Sequence, residues 1–106
     1  MQIEDASIGF AAVGSAPRLQ VLKLLVRSGP KGLTTGEIQE RTGIPASTLA
    51  HHLRSLSEGG VIQQIKQGRA VINMAAYDRL RELADYLLTE CCVDASAEIH
   101  EEHEHG

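Results

Sequence analysis

Residues 43–60, GIPASTLAHHLRSLSEGG, constrain the fold more than any other part of the chain. Glycine bounds the segment at both ends, Pro45 suits the start of a helix, and Leu49, Leu53 and Leu56 recur at helical spacing on one face. The segment therefore predicts an amphipathic helix over about 46–58. Just before it, Thr34, Thr35, Gly36 and Glu37 fit a capping box, in which a Thr hydroxyl meets a backbone N–H and Glu37 reaches back. That opens a shorter helix of about 35–42, ending at Gly43. Two short helices joined by a tight Gly-containing turn are a candidate helix-turn-helix.

The flanks complete the architecture. Ile3, Ala6, Phe10 and Val13 predict a first amphipathic helix over 3–13. Ser15 is placed to cap and Pro17 to open a second helix of about 17–28, with Leu19, Leu22, Leu25 and Val26 directed inward and Gly29 and Pro30 ending it. After the central helix, Val61–Lys66 and Ala70–Asn73 surround Gln67, Gly68 and Arg69, and the β-branched content with a central Gly predicts a hairpin. A last helix over about 76–92 carries Leu80, Leu83, Leu87, Leu88 and Cys91 along one stripe. The expected class is mainly α with a small β-hairpin (α+β): a winged helix-turn-helix domain over residues 1–94 and an acidic, His-rich tail over 95–106.

Composition sharpens the functional question. A hydrophobic content of 42% over 106 residues suits one packed domain. The apolar runs are too short to span a membrane, and nothing reads as a signal peptide. Two adjacent cysteines make no secreted disulfide framework, so a reducing cytoplasm is the expected setting. Taken as one number, the net charge of −4 speaks against nucleic acid, yet it divides along the chain. Residues 15–75 hold eight basic and three acidic side chains, a balance of +5. Residues 76–106 hold two basic and nine acidic, a balance of −7, and Glu4 and Asp5 add −2. The basic middle suits phosphates, and the acidic ends suit another task.

Opposite the leucine face of the central helix lie Ser47, Thr48, His51, Arg54 and Ser55, spaced so as to share one stripe. Hydroxyls near a helix N-terminus suit phosphates and base edges, and His51 and Arg54 supply donors farther along. At the hairpin tip, Lys66, Gln67 and Arg69 are basic or polar, as a wing lying along the DNA backbone requires. His52 falls nearer the leucines and is expected to pack or cap internally. No phosphate loop, paired catalytic carboxylates or Ser-His-Asp spacing points to an enzyme.

On these residues the chain resembles the ArsR/SmtB-type bacterial repressors. Residues 15–25 are similar to the family's second helix, 45–56 to its recognition helix with a His-Leu pair at His52 and Leu53, and Gly59–Ile62 with Gly68 and Arg69 to the approach and tip of its wing. Ala50 departs from the Ser that many members carry, which shifts weight onto Ser47, Thr48 and His51. The resemblance covers about residues 5–92. It implies a homodimer formed through the N- and C-terminal helices, bound to double-stranded operator DNA with an inverted repeat and released by an inducer at a distant site.

Family ligand sites are checked residue by residue. The Cys-containing site of arsenic and cadmium sensors corresponds to about residues 35–42, which hold no Cys. The zinc-type site on the last helix needs Asp-x-His, but Asp78 is followed by Leu80 and residues 76–92 hold no His. Cys91 and Cys92 remain, and vicinal thiols suit a thiophilic inducer: As(III), Sb(III) or a methylated arsenical, with no resident cofactor required. Chelation by neighbours on an ideal helix requires the last turn to unwind, and a third thiolate for inorganic arsenite would have to cross the dimer. Glu90, Asp94 and the helix C-terminus disfavour thiolate. Two alternatives keep the repressor. His100, His103 and His105, interleaved with glutamates, suit Zn, Ni or Co, and the Cys pair itself would respond to an oxidant or persulfide.

Overall fold

A computed structural model describes residues 1–95. The elements run α1 (Ile3–Ala12), α2 (Ala16–Ser28), β1 (Leu33–Thr34), α3 (Thr35–Thr42), α4 (Ala46–Glu58), β2 (Ile62–Gln67), β3 (Ala70–Ala75) and α5 (Tyr77–Leu88). This is the expected winged helix-turn-helix order, with β1 as an addition. The three strands form an antiparallel sheet in the order β1-β3-β2, in which Leu33 pairs with Asn73 and Gln67 with Ala70. β1 spans only two residues, too short for a period-2 signal to register in the sequence.

Local chemistry accounts for the element starts. Ser15 Oγ accepts the Arg18 N–H, with Pro17 in the first turn of α2. At α3, Thr34 Oγ1 accepts the Glu37 N–H at 3.1 Å and Glu37 Oε1 accepts the Thr34 N–H at 2.8 Å, so the capping box forms as expected. The Thr34 main-chain N–H also holds the Glu37 carboxyl below its usual range. The β2–β3 turn spends two residues: Gly68 takes φ +60° at the first central position, which the type II′ hairpin turn requires and a side chain would oppose.

The core gathers Val21, Leu22 and Leu25 of α2, Ile38 of α3, the three α4 leucines and Val61. Leu49, Leu53 and Leu56 are buried as their spacing predicts. On α2 the inward stripe is displaced. Val21 is buried, whereas Leu19 and Val26 are 45% and 42% exposed. Arg18 takes the place nearer the core and donates Nε to Ala12 O at 2.6 Å and Nη2 to Ala11 O at 3.2 Å, capping the C-terminus of α1 from its neighbour. On α1 the buried face consists of small residues, Ala6, Gly9 and Ala12, with Phe10 and Val13 half-buried and Ile3 exposed. Gly9 lets α1 lie close on α5: a Cβ built there would stand 2.8 Å from a Leu83 methyl.

α5 is shorter than its apolar pattern suggests. Leu83 is buried and Leu80 half-buried, but Leu87, Leu88 and Cys91 are exposed. The helix stops at Leu88 and tightens into three-residue turns, with Cys91 N–H donating to Leu88 O and Val93 N–H to Glu90 O. Cys92 then takes φ +68°. Both thiols therefore lie in the turn beyond the helix, a correction to the 76–92 span. Among the described residues no helix is long and apolar enough to cross a membrane.

Candidate nucleic-acid interface

The central helix presents its polar stripe to solvent. Ser47, Thr48, His51 and Arg54 are exposed, whereas Ser55 is half-buried at the edge of the stripe. The first helical amide bond is Leu49 N–H to Pro45 O at 2.9 Å, and Pro45 has no capping side chain. The N–H groups of the preceding turn consequently open toward the surface beside two hydroxyls, and no acidic residue occupies that turn. Such an end attracts phosphate through both its free donors and its dipole.

The hairpin carries Lys66, Gln67 and Arg69 on its tip, all exposed. They stand on a different element from the α4 stripe, and a cleft of about 270 Å³ separates the two surfaces. Thr35, Ala50, Leu53, Arg54, Gln64 and Val71 line it. Ala50, where the resemblance leads one to expect a hydroxyl, thus contributes a methyl to the wall facing the wing.

His52 follows the expectation of an inward role without the cap. It is half-buried, its ring centroid 6.0 Å from that of His51, and its Nδ1 is buried with no hydrogen-bond partner. Burial lowers its pKa, and the nearby Arg18 charge adds to this, so the neutral imidazole is favoured.

Two residues that tie separate elements together escaped the sequence reading. Asn73 is the one fully buried polar side chain among the described residues, and it joins three elements by hydrogen bonds. An Asn inside the apolar run Val71, Ile72, Asn73, Met74 was the available signal, because a buried amide demands partners. Tyr77 donates its hydroxyl to Val26 O at 3.1 Å, with Leu25 O at 3.4 Å, fastening the start of α5 to the end of α2. Its position at a helix start carried no such signal.

At the far end of α5, Cys91 Sγ and Cys92 Sγ stand 3.2 Å apart. Their approach does not require a helical turn to unwind, since α5 has already ended. The Cys92 thiol is pushed up by its contact with Cys91 and then by burial, the direction expected from the acidic surroundings but with a different cause. A cleft beside Cys91 is lined by Met1, Tyr86, Leu87, Thr89 and Glu90. Among the described residues, no group of three His, Cys, Asp or Glu is placed to hold a metal ion. His100, His103 and His105 lie outside the described residues.

Comparison with known proteins agrees with this geometry. A helix-turn-helix domain family matches residues 14–65. An uncharacterized HTH-type transcriptional regulator of Methanocaldococcus jannaschii is 31% identical over 80 residues, covering 76% of this chain and 88% of that protein. Among solved structures, an ArsR-like transcriptional regulator from Rhodococcus sp. RHA1 superposes with a TM-score of 0.74 at 20% identity, over 95% of this chain and 92% of that one. The homodimeric winged helix-turn-helix DNA-binding domain of a possible ArsR-family regulator from Mycobacterium bovis gives 0.68 at 23%, over 84% and 82%. The transcriptional repressor BigR from Xylella fastidiosa gives 0.64 at 20%, over 84% and 88%. At these identities the structures share the fold.

Proposed function

Because this chain belongs to the helix-turn-helix transcriptional regulators, in the winged form it shares with ArsR-family proteins, we propose that it is a homodimeric repressor released from its operator by a thiophilic inducer at Cys91 and Cys92. The DNA-facing part follows from the open end of α4, its exposed Ser47, Thr48, His51 and Arg54, and the basic wing tip. Ser47 and Thr48 meet phosphates and base edges, Arg54 and His51 supply donors to the major groove, and Lys66 and Arg69 neutralise backbone charge with Gln67 between them. Ser55 supports the rim of this surface.

Dimerisation gives the remaining apolar surface a purpose. Met1, Ile3 and Ile8 at α1, with Leu87, Leu88 and Val93 at and beyond the end of α5, are exposed apolar side chains on the two helices that pack together. A second copy related by a two-fold axis covers both helices at once and places two reading helices on two half-sites. The homodimeric Mycobacterium bovis domain has the same fold.

The single observation carrying the inducer assignment is the 3.2 Å separation of the two Sγ atoms, on a turn beside the exposed apolar stretch. One soft atom can bond both sulfurs there with the protons leaving as it binds, so a raised thiol pKa is no obstacle. Trivalent and methylated arsenicals, or antimony, have that chemistry. Gel shifts with a trivalent arsenical test the assignment in wild type and Cys91→Ser/Cys92→Ser, and unchanged release in the double variant would sink it. Release by zinc, nickel or cobalt that disappears on truncation after Asp94 would transfer the switch to the tail histidines. Release by an oxidant or persulfide, with a disulfide seen by mass spectrometry, would make the pair a redox switch.

A further inference from the structure

We propose that Asn73 is the positioning residue that sets the attitude of the wing against the helix-turn-helix, so that tip and reading helix engage one duplex together; this rests on the DNA-binding reading above. Asn73 is fully buried in the middle of β3. Its Nδ2 donates to Leu33 O at 3.3 Å and to Thr35 Oγ1 at 3.1 Å, and its Oδ1 accepts from Gln64 Nε2 at 2.8 Å. One amide therefore ties β1, the first residue of α3 and β2 to the central strand. The backbone register runs through the same residue, pairing Asn73 with Leu33 on one side and Gln64 on the other.

β1 and β3 are paired at only two positions, so the sheet has a short backbone hold on the helix-turn-helix. The Asn73 to Thr35 bond adds a side-chain link directly to α3. On the other side, Gln64 lines the cleft facing Arg54 and lies three residues before Gln67 of the tip. A change of angle at Asn73 is carried along β2 and β3 to Lys66 and Arg69. An apolar side chain at this place would fill the same space, but a leucine has no donors with which to select one geometry. The amide thus supplies direction rather than packing.

The test is a coupling measured on DNA binding with the full chain and a mixed-sequence duplex of about 30 base pairs. Each neutralised phosphate contributes about 0.9 to the slope of log affinity against log salt. In the wild-type homodimer Lys66→Ala/Arg69→Ala removes two contacts from each of two wings and should therefore lower the slope by about 3.6. In Asn73→Leu the same pair should lower it by less than half as much, because the wing already lies off the backbone. Thr35→Val, which deletes only the link to α3, should show the same loss and serves where Asn73→Leu does not fold by circular dichroism. A merely structural Asn73 would leave the wing's share of the slope intact in the folded variants, and that result overturns the inference alone. Absence of salt-dependent binding in the wild type overturns the DNA-binding reading and this inference with it.

Discussion

Arg79 grips Asp5 with two nitrogens, Nη1 to Oδ2 at 2.9 Å and Nη2 to Oδ1 at 2.8 Å, and Nη2 also donates to Asp5 O at 3.2 Å. The pair joins α5 to α1, the two helices through which we place the dimer. It shares that junction with Gly9 and Leu83, so one polar clamp and one close packing contact hold the same two elements.

The clamp has a pH signature. The Arg79 hydrogen bond holds the Asp5 carboxyl below its usual value of 3.8. A carboxyl with a lower pKa in the folded state stabilises the fold above the unfolded value and loses that contribution as pH falls through the folded one. Thermal midpoints at pH 6 and pH 3 should therefore differ more in the wild type than in Asp5→Asn. An equal difference in both would assign the acid sensitivity elsewhere. The carboxylate is half exposed, so the effect is modest.

Gly9 and Leu83 should behave as one unit. Leu83→Ala removes a buried side chain and should cost about 2–5 kcal/mol. Gly9→Ala drives a methyl against Leu83 in the wild type and should destabilise, although alanine is the better helix former by about 1 kcal/mol. In the Leu83→Ala background the methyl has room and the same change should become stabilising. Denaturant titrations of the four proteins measure the coupling, and additive effects would contradict the contact.

Tyr77→Phe isolates the fastening of α5 to α2. The ring packs as before, but Val26 O loses its donor, so stability should fall by about 0.5–1.5 kcal/mol. Salt-dependent DNA binding should remain at the wild-type level. A loss of binding without a loss of stability would place Tyr77 in communication with the reading surface.

Arg54 and the wing tip should separate by kind of effect. Arg54→Ala should cost about 1–3 kcal/mol per half-site on a selected sequence and relax discrimination there, whereas Lys66→Ala should weaken all sequences alike and lower the salt slope by about 2 for the two wings of the dimer. Binding measured across a panel of duplexes distinguishes the two. Uniform loss from both variants would reduce Arg54 to a phosphate contact.

The helix-turn-helix was legible because its signals are local. The Thr34–Glu37 capping box, the glycine stops and the leucine spacing of α4 each act within one or two turns, and all reappear in the fold. The failures lie where neighbours decide. Arg18 faces inward because the last carbonyls of α1, at Ala11 and Ala12, accept from its guanidinium, and this displaces the stripe from Leu19 and Val26. The α5 pattern runs on through Cys91, yet the helix stops at Leu88, beyond which no packing against the core rewards another turn. Of the candidate site, exposure of the α4 stripe and wing tip followed from spacing, while Asn73 depended on contacts from residues 38 and 40 positions away.

With the switch at the Cys pair, inducer and DNA oppose each other, and linkage makes this measurable in either direction. The most direct measurement is the affinity for one duplex at fixed salt, by fluorescence anisotropy, with and without phenylarsine oxide as a dithiol-specific probe. Affinity should weaken at least fivefold in the wild type, the low end of typical allosteric coupling, and not at all in Cys91→Ser/Cys92→Ser. Equal weakening in both proteins, or none in either, would contradict a switch at the Cys pair.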